Sequence, residues 1–134
     1  MTTTRNRVLA IIVTYCPVDD LRQSIRQLQG QVAQILVVDN STQPKYWARL
    51  RELQKELSFE LIINGYNLGI AGALNRGVQY GQKNQFDWIL TLDEDSIVPT
   101  QYVDTLLRTW KQSSEKDRIA ILAPAHFDKK TGYQ

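Results

Sequence analysis

The chain has 134 residues, 43% of them hydrophobic and 22% charged, the proportions of one soluble globular domain with a single core. Sixteen Lys and Arg against fourteen Asp and Glu leave a formal charge of +2 with no run of like charge, which argues against a basic nucleic-acid arm or an acidic tail and predicts no nucleic-acid partner. The one cysteine, Cys16, cannot close an internal disulfide, and no apolar stretch nears the roughly eighteen residues of a membrane span, so the expectation is a cytoplasmic protein whose membrane association, at the inner face, would be peripheral.

In chain order, five short segments, 8–15, 34–39, 59–64, 88–93 and 119–123, are rich in β-branched or aliphatic residues and apolar at nearly every position. Continuous rather than alternating apolarity predicts strands covered on both faces. Arg5 and Arg7 ahead of the first segment have the outline of a signal peptide, but Thr14 interrupts the run and no small-residue cleavage site follows. Pro17, Asp19 and Asp20 suit the exit from a buried strand instead. Helical spacing fills the intervals. Leu21, Ile25 and Leu28 follow Asp19 and Asp20, which can cap a helix start. Trp47, Leu50 and Leu53 make the stripe of a helix over 45–57, and Ile70, Ala73, Leu74 and Val78 that of a third. Val103, Leu106, Leu107 and Trp110 form a fourth after Pro99, a good first-turn residue, with helix end and loop over 111–118. Strand and helix in alternation with short connections predict an α/β fold, an open and mostly parallel sheet with helices on both faces, as one domain over residues 1–134.

Such sheets bind ligands beyond the carboxyl ends of their strands. Those ends hold Thr14 and Tyr15, then Asp39, Asn40 and Ser41, then the stretch 64–72, then Asp93, Glu94 and Asp95. Any one of these residues is explained as well by a turn or a helix cap; four polar ends of one sheet are harder to explain so. Three acids directly after an apolar strand repel one another and lose hydration unless a cation compensates. On an extended chain Asp93 and Asp95 point the same way with origins roughly 7 Å apart. That spacing suits one hydrated Mg²⁺ or Mn²⁺ shared with phosphate oxygens, while Glu94 points elsewhere. The stretch 64–77 carries four of the seven glycines and opens a helix, so that backbone can approach an anion near a helix N-terminus. It is neither a dinucleotide fingerprint nor a Walker loop, which counts against dehydrogenases and P-loop ATPases. Cys16, Trp47, Trp88 and Trp110 read as packed residues and His126 as a surface or loop residue.

Four of these segments, in order, are Ile12-Val13-Thr14-Tyr15 with Pro17, Val37-Val38-Asp39-Asn40-Ser41, the set Asn67, Gly69, Ala73, Asn75 and Gly77, and Leu92-Asp93-Glu94-Asp95-Ser96. Together they resemble the N-terminal half of a family 2 glycosyltransferase of the GT-A type, and most of all the bacterial rhamnosyltransferases of surface-polysaccharide biosynthesis. The resemblance spans nearly the whole chain. It implies a Rossmann-like nucleotide-sugar-binding half and an inverting transfer of a sugar, rhamnose first among candidates, from dTDP-rhamnose or a UDP-sugar to a polysaccharide or lipid-linked saccharide acceptor. On that resemblance Thr14 and Tyr15 line the base and ribose pocket, and Asp39 accepts a hydrogen bond from the pyrimidine. Asn67, Gly69 and Asn75 shape the wall of the nucleotide site, and Asp93 and Asp95, the DxD pair, hold the ribose and the metal on the diphosphate. Cys16 stands where the family often has Asn, and Leu74 where many members have Arg; Arg76 is not taken to replace it. The later acids Asp104, Glu115, Asp117 and Asp128 match no family base, which predicts a chain truncated before its acceptor-binding half and without the catalytic base. Two other readings stand beside this one: a nucleotide-sugar-binding module without turnover, and a haloacid-dehalogenase-type phosphatase with Asp93 as nucleophile and Asp95 as acid/base.

Overall fold

The structure, a computed structural model, describes residues 7–17, 21–125, 127–128 and 132–133. The expected helix caps Asp19 and Asp20, and His126, lie outside the described residues. The chain folds as two compact units, Met1–Thr100 and Gln101–Gln134.

The first unit alternates strand and helix: β1 (Val8–Thr14), α1 (Leu21–Leu28), β2 (Gln34–Asp39), α2 (Pro44–Glu56), β3 (Glu60–Ile63), α3 (Gly69–Lys83) and β4 (Trp88–Asp93). All the strands run parallel, in the order β3-β2-β1-β4. The open α/β sheet that alternation predicts is therefore present. β1 and β2 form its centre and are buried at nearly every position, as their continuous apolarity requires. The strand period of two divides their side chains between the faces. Leu9, Ile11, Leu36 and Val38 cluster with Ala73 of α3, and Leu74 and Val78 pack against them. Ala10, Ile12, Ile35 and Val37 have the opposite parity and are equally buried, as are Leu21, Ile25 and Leu28 of α1. The connections from β1 to β2 to β3 step one way and the return to β4 passes back over β1, so right-handed crossovers put α1 and α2 on one face and α3 on the other.

Two strand expectations need correction. β3 and β4 are not covered on both faces: they are the edge strands, paired with β2 and β1, with Glu60, Thr91 and Asp93 exposed and the rest half-buried. Trp, Ile and Leu suit an edge and a centre alike, so composition could not tell these apart. Residues 119–123 join no ladder among the described residues, because an apolar, β-branched segment becomes a strand only where a neighbour takes up its backbone hydrogen bonds.

The second unit contains α4 (Tyr102–Gln112), one 3₁₀ turn (Lys116–Arg118) and an antiparallel ladder of β5 (Phe127–Asp128) with β6 (Gly132–Tyr133). α4 begins beyond Pro99, with Gln101 in a left-handed conformation (φ 61°) at its N-cap, so Pro99 is not in its first turn. Trp110 is half-buried rather than core, its Nε1 donating to the Lys116 carbonyl at 3.0 Å. No helix among the described residues is long and apolar enough to cross a membrane.

α3 can approach the sheet because Gly77 faces it. A Cβ there would meet Ile11 Cδ1 at 2.7 Å and Cγ2 at 2.8 Å, and Ile11 is fully buried in the central strand. Gly77→Ala is therefore expected to destabilise by about 1 kcal/mol net, overpacking exceeding the ~1 kcal/mol by which Ala outranks Gly in a helix. Thermal melting should show a loss of roughly 3–5 °C; an unchanged or higher Tm would mean that α3 moves outward at no cost.

Candidate functional site

The order β3-β2-β1-β4 makes β1 and β4 neighbours whose connections leave in opposite directions. In an open α/β sheet this switch point leaves a crevice beyond the carboxyl ends. A cleft of about 360 Å³ lies there, lined by Thr14 and Tyr15 at the end of β1, Asn40 after β2, Asn67, Gly69 and Ile70 at the start of α3, and Asp93 and Glu94 at the end of β4. The ladder sets their level, with Thr14 opposite Asp39 and Val13 opposite Asp93. A second cleft of about 380 Å³, lined by Leu21, Leu50, Leu53 and the Arg22–Glu56 ion pair, lies between α1 and α2 and away from the strand ends.

Asp39, at the end of β2, does not line the cleft: it is fully buried and met by three donors. Its Oδ1 accepts from the hydroxyls of Thr14 (2.7 Å) and Ser41 (2.8 Å), and its Oδ2 from the Ser41 amide (3.1 Å). Ser41 Oγ in turn accepts from the Cys16 amide at 2.8 Å, in a residue held at φ 49°, and the Ser41 carbonyl accepts from Trp47 Nε1 at 3.0 Å. Thr14 and Asp39 are 1% and 0% exposed. In this conformation they hold each other, and the accessible surface at the end of β1 belongs to Tyr15, 53% exposed. Asn67 accepts the Gly69 amide at 2.8 Å. Asn75 is exposed farther along α3 and does not line the cleft, and Leu74, at the position where the family often has Arg, packs on the sheet.

The acidic triplet is not extended. β4 stops at Asp93, and the Ser96 amide donates back to the Asp93 carbonyl at 3.1 Å. Residues 93–96 therefore form a turn, and strand alternation does not relate Asp93 to Asp95. Both are exposed; Asp93 lines the cleft and Asp95 does not. Glu94, expected to point away, lines the cleft: its Oε2 accepts from the Tyr15 amide at 3.4 Å, and its carbonyl from the Ser24 hydroxyl at 3.1 Å. Partial burial raises the Glu94 pKa above its ordinary value, the Tyr15 amide opposes this, and the charges of Asp95, Asp39 and Asp93 add to the rise. Sequence reasoning passed over Glu94 because the two-residue period of a straight strand turns it from its neighbours; a turn reverses that. Among the described residues no three metal-ligating side chains converge, so any ion here would take part of its coordination from a ligand. The phosphatase reading needs its nucleophile at the end of the first strand, whereas Asp93 ends β4 at the sheet edge.

Residues 9–132 match the sequence profile of Glycosyl transferase family 2. Over 102 residues the chain is 32% identical to the dTDP-rhamnosyl transferase RfbF of Shigella flexneri, an alignment that covers 75% of this chain and 33% of that protein. The chain thus spans about a third of the length of this curated relative.

Two substitutions test the electrostatics. Asp39→Asn is expected to destabilise by about 1–3 kcal/mol in urea titration, because its NH₂ must face either the Ser41 amide or the two hydroxyls; unchanged stability would mean that the hydroxyls simply reverse. Glu94 behaves oppositely. Its raised folded-state pKa means that the protonated form is tolerated and the ionised form penalised. The penalty is absent below the ordinary carboxylate range and grows as pH rises through the folded value. Glu94→Gln keeps an acceptor for the Tyr15 amide and should melt higher than the parent protein near neutral pH in metal-free buffer. The gain should vanish in acid, and one that persists there would assign the effect to packing.

Proposed function

This chain belongs to glycosyl transferase family 2, and from that premise we propose that it binds a nucleoside-diphosphate sugar in the cleft at the ends of β1 and β4 and serves the transfer of that sugar to a saccharide acceptor. The observation that carries the reading is the cleft itself. It joins an exposed aromatic residue, Tyr15, an apolar wall at Ile70, the N-terminus of α3 and the exposed carboxylate of Asp93 at one switch point. Tyr15 and Ile70 offer faces to a base and ribose. The positive end of the α3 dipole lies at the cleft and favours a diphosphate. The donor sugar is a dTDP-linked rhamnose in the first instance, supported by the likeness to a dTDP-rhamnosyl transferase, with a UDP-sugar as the alternative.

Asp93 and Asp95 fit a divalent cation by donor chemistry: two exposed hard-oxygen carboxylates on one turn, without an ion pair among the described residues. Mg²⁺ and Mn²⁺ are held in this way, by one or two carboxylates with phosphate oxygens completing the shell. Such an ion, when bound, supplies a Lewis acid to the leaving diphosphate. In an inverting transfer the acceptor hydroxyl attacks the anomeric carbon as the bond to the diphosphate breaks, and a carboxylate base takes its proton. The part proposed for the cleft residues of this chain is to bind and orient the donor.

Calorimetry with dTDP and UDP, in Mn²⁺ and in EDTA, tests the reading: binding is expected in Mn²⁺ and lost in EDTA. Equal binding in EDTA would remove the metal from the site, and no binding in either would overturn the cleft assignment. Asp95→Ala is expected to lose the metal-dependent part while the ligand-free stability stays within about 0.5 kcal/mol, since the side chain is exposed. A large fall in ligand-free Tm would mark Asp95 as a turn-stabilising residue instead. Release of nucleoside diphosphate from dTDP-rhamnose on adding acceptor separates a transferase from a module that binds without turnover.

A further inference from the structure

Behind the cleft wall a relay of side chains runs from the second turn of α3 back to the strand ends. Arg76 Nη1 donates to Asn64 Oδ1 at 2.6 Å, Asn64 Nδ2 to Asn40 Oδ1 at 2.8 Å, and Asn40 Nδ2 to the Gly69 carbonyl at 3.0 Å. The Leu68 amide donates to the same Asn40 Oδ1 at 3.3 Å. Both asparagines are tied to the sheet through their own backbone amides, Asn40 to the Thr14 carbonyl and Asn64 to the Asp39 carbonyl, each at 2.9 Å. Every amide in the relay has one orientation, because reversing either would set a donor against a donor. Asn40 and Asn64 are 3% and 8% exposed, so a broken link strands a polar group that water reaches poorly.

The loop needs such a hold. Gly65 and Gly69 bound it at φ 77° and 71°, and no atom lies within 4 Å of where their Cβ atoms would be. Tyr66 is 55% exposed. Packing therefore does little to fix the segment, and hydrogen bonds must do it. Its far end carries Asn67, Gly69 and Ile70, one wall of the cleft.

We propose that Arg76, Asn64 and Asn40 are positioning residues that hold the 65–69 loop in its ligand-receiving conformation, so that a nucleotide meets a wall already ordered. The nucleotide part rests on the reading given under the proposed function. Preorganisation of this kind adds affinity by removing an ordering cost from the binding step.

The test pairs two readouts on the full chain: amide hydrogen exchange at Leu68 and Gly69, and calorimetric titration with dTDP and UDP in Mn²⁺. Arg76→Ala should accelerate exchange at Leu68 and Gly69 while leaving Val38 in the sheet unchanged, and should weaken nucleotide binding about tenfold. Arg76→Lys, which still presents a donor to Asn64, should restore both. Asn40→Asp, unable to donate to the Gly69 carbonyl, should reproduce the alanine result. Unchanged exchange in Arg76→Ala would overturn the relay, and faster exchange with unchanged affinity would overturn its role in binding. A parent protein that binds neither nucleotide would overturn the functional reading and the binding role with it, while exchange alone still decides whether the relay holds the loop.

Discussion

A carboxylate at the end of a central parallel strand is tolerable only if donors replace the water it has lost, and at Asp39 three do. Meeting that requirement organises the carboxyl end of the sheet. Thr14 is drawn from β1, Ser41 from the chain leaving β2, and through the Ser41 hydroxyl and carbonyl the backbone of Cys16 and the indole of Trp47 are fixed as well. Cys16 takes a left-handed φ of 49° in making this turn, a strain that surrounding bonds can sustain. Tyr15 is presented outward because its neighbours on both sides are held inward.

α3 does two things with one geometry. Its middle lies against Ile11 because Gly77 offers no Cβ, and that contact sets the height of the helix over the sheet. Its start lies at the cleft, and there the chain is held by the asparagine relay and by the Asn67 side chain accepting the Gly69 amide. The middle of the helix is thus defined by apolar packing, and the end facing the cleft by polar bonds. The two differ in what loosens them: volume at Gly77, a lost donor or acceptor at Arg76, Asn64 or Asn40.

The acidic turn completes the site from the other side of β1. An edge position suits it, since Asp93 and Asp95 keep their water there while Glu94 is drawn beside the Tyr15 amide and the Ser24 hydroxyl. Three like charges in one turn raise the cost of ionising the least hydrated of them.

By itself the sequence determined the α/β class, the four paired strands within a residue or so at each end, and the stations along the chain where polar residues interrupt apolar segments. Periodicity and turn chemistry are local, and Leu21, Ile25 and Leu28, or Val8 through Val13, carry them within a few residues. The order of the strands, the edge position of β4, the absence of a ladder at 119–123 and the turn at Asp93 were decided by tertiary structure, because each depends on which neighbour supplies hydrogen bonds. The same holds for the site. Which polar residues lie at the strand ends is written in the sequence. That Asp39 is buried under Thr14, that Glu94 enters the cleft, and that Arg76 reaches Gly69 through two asparagines follow only when residues 12 to 79 positions apart are brought within hydrogen-bond distance.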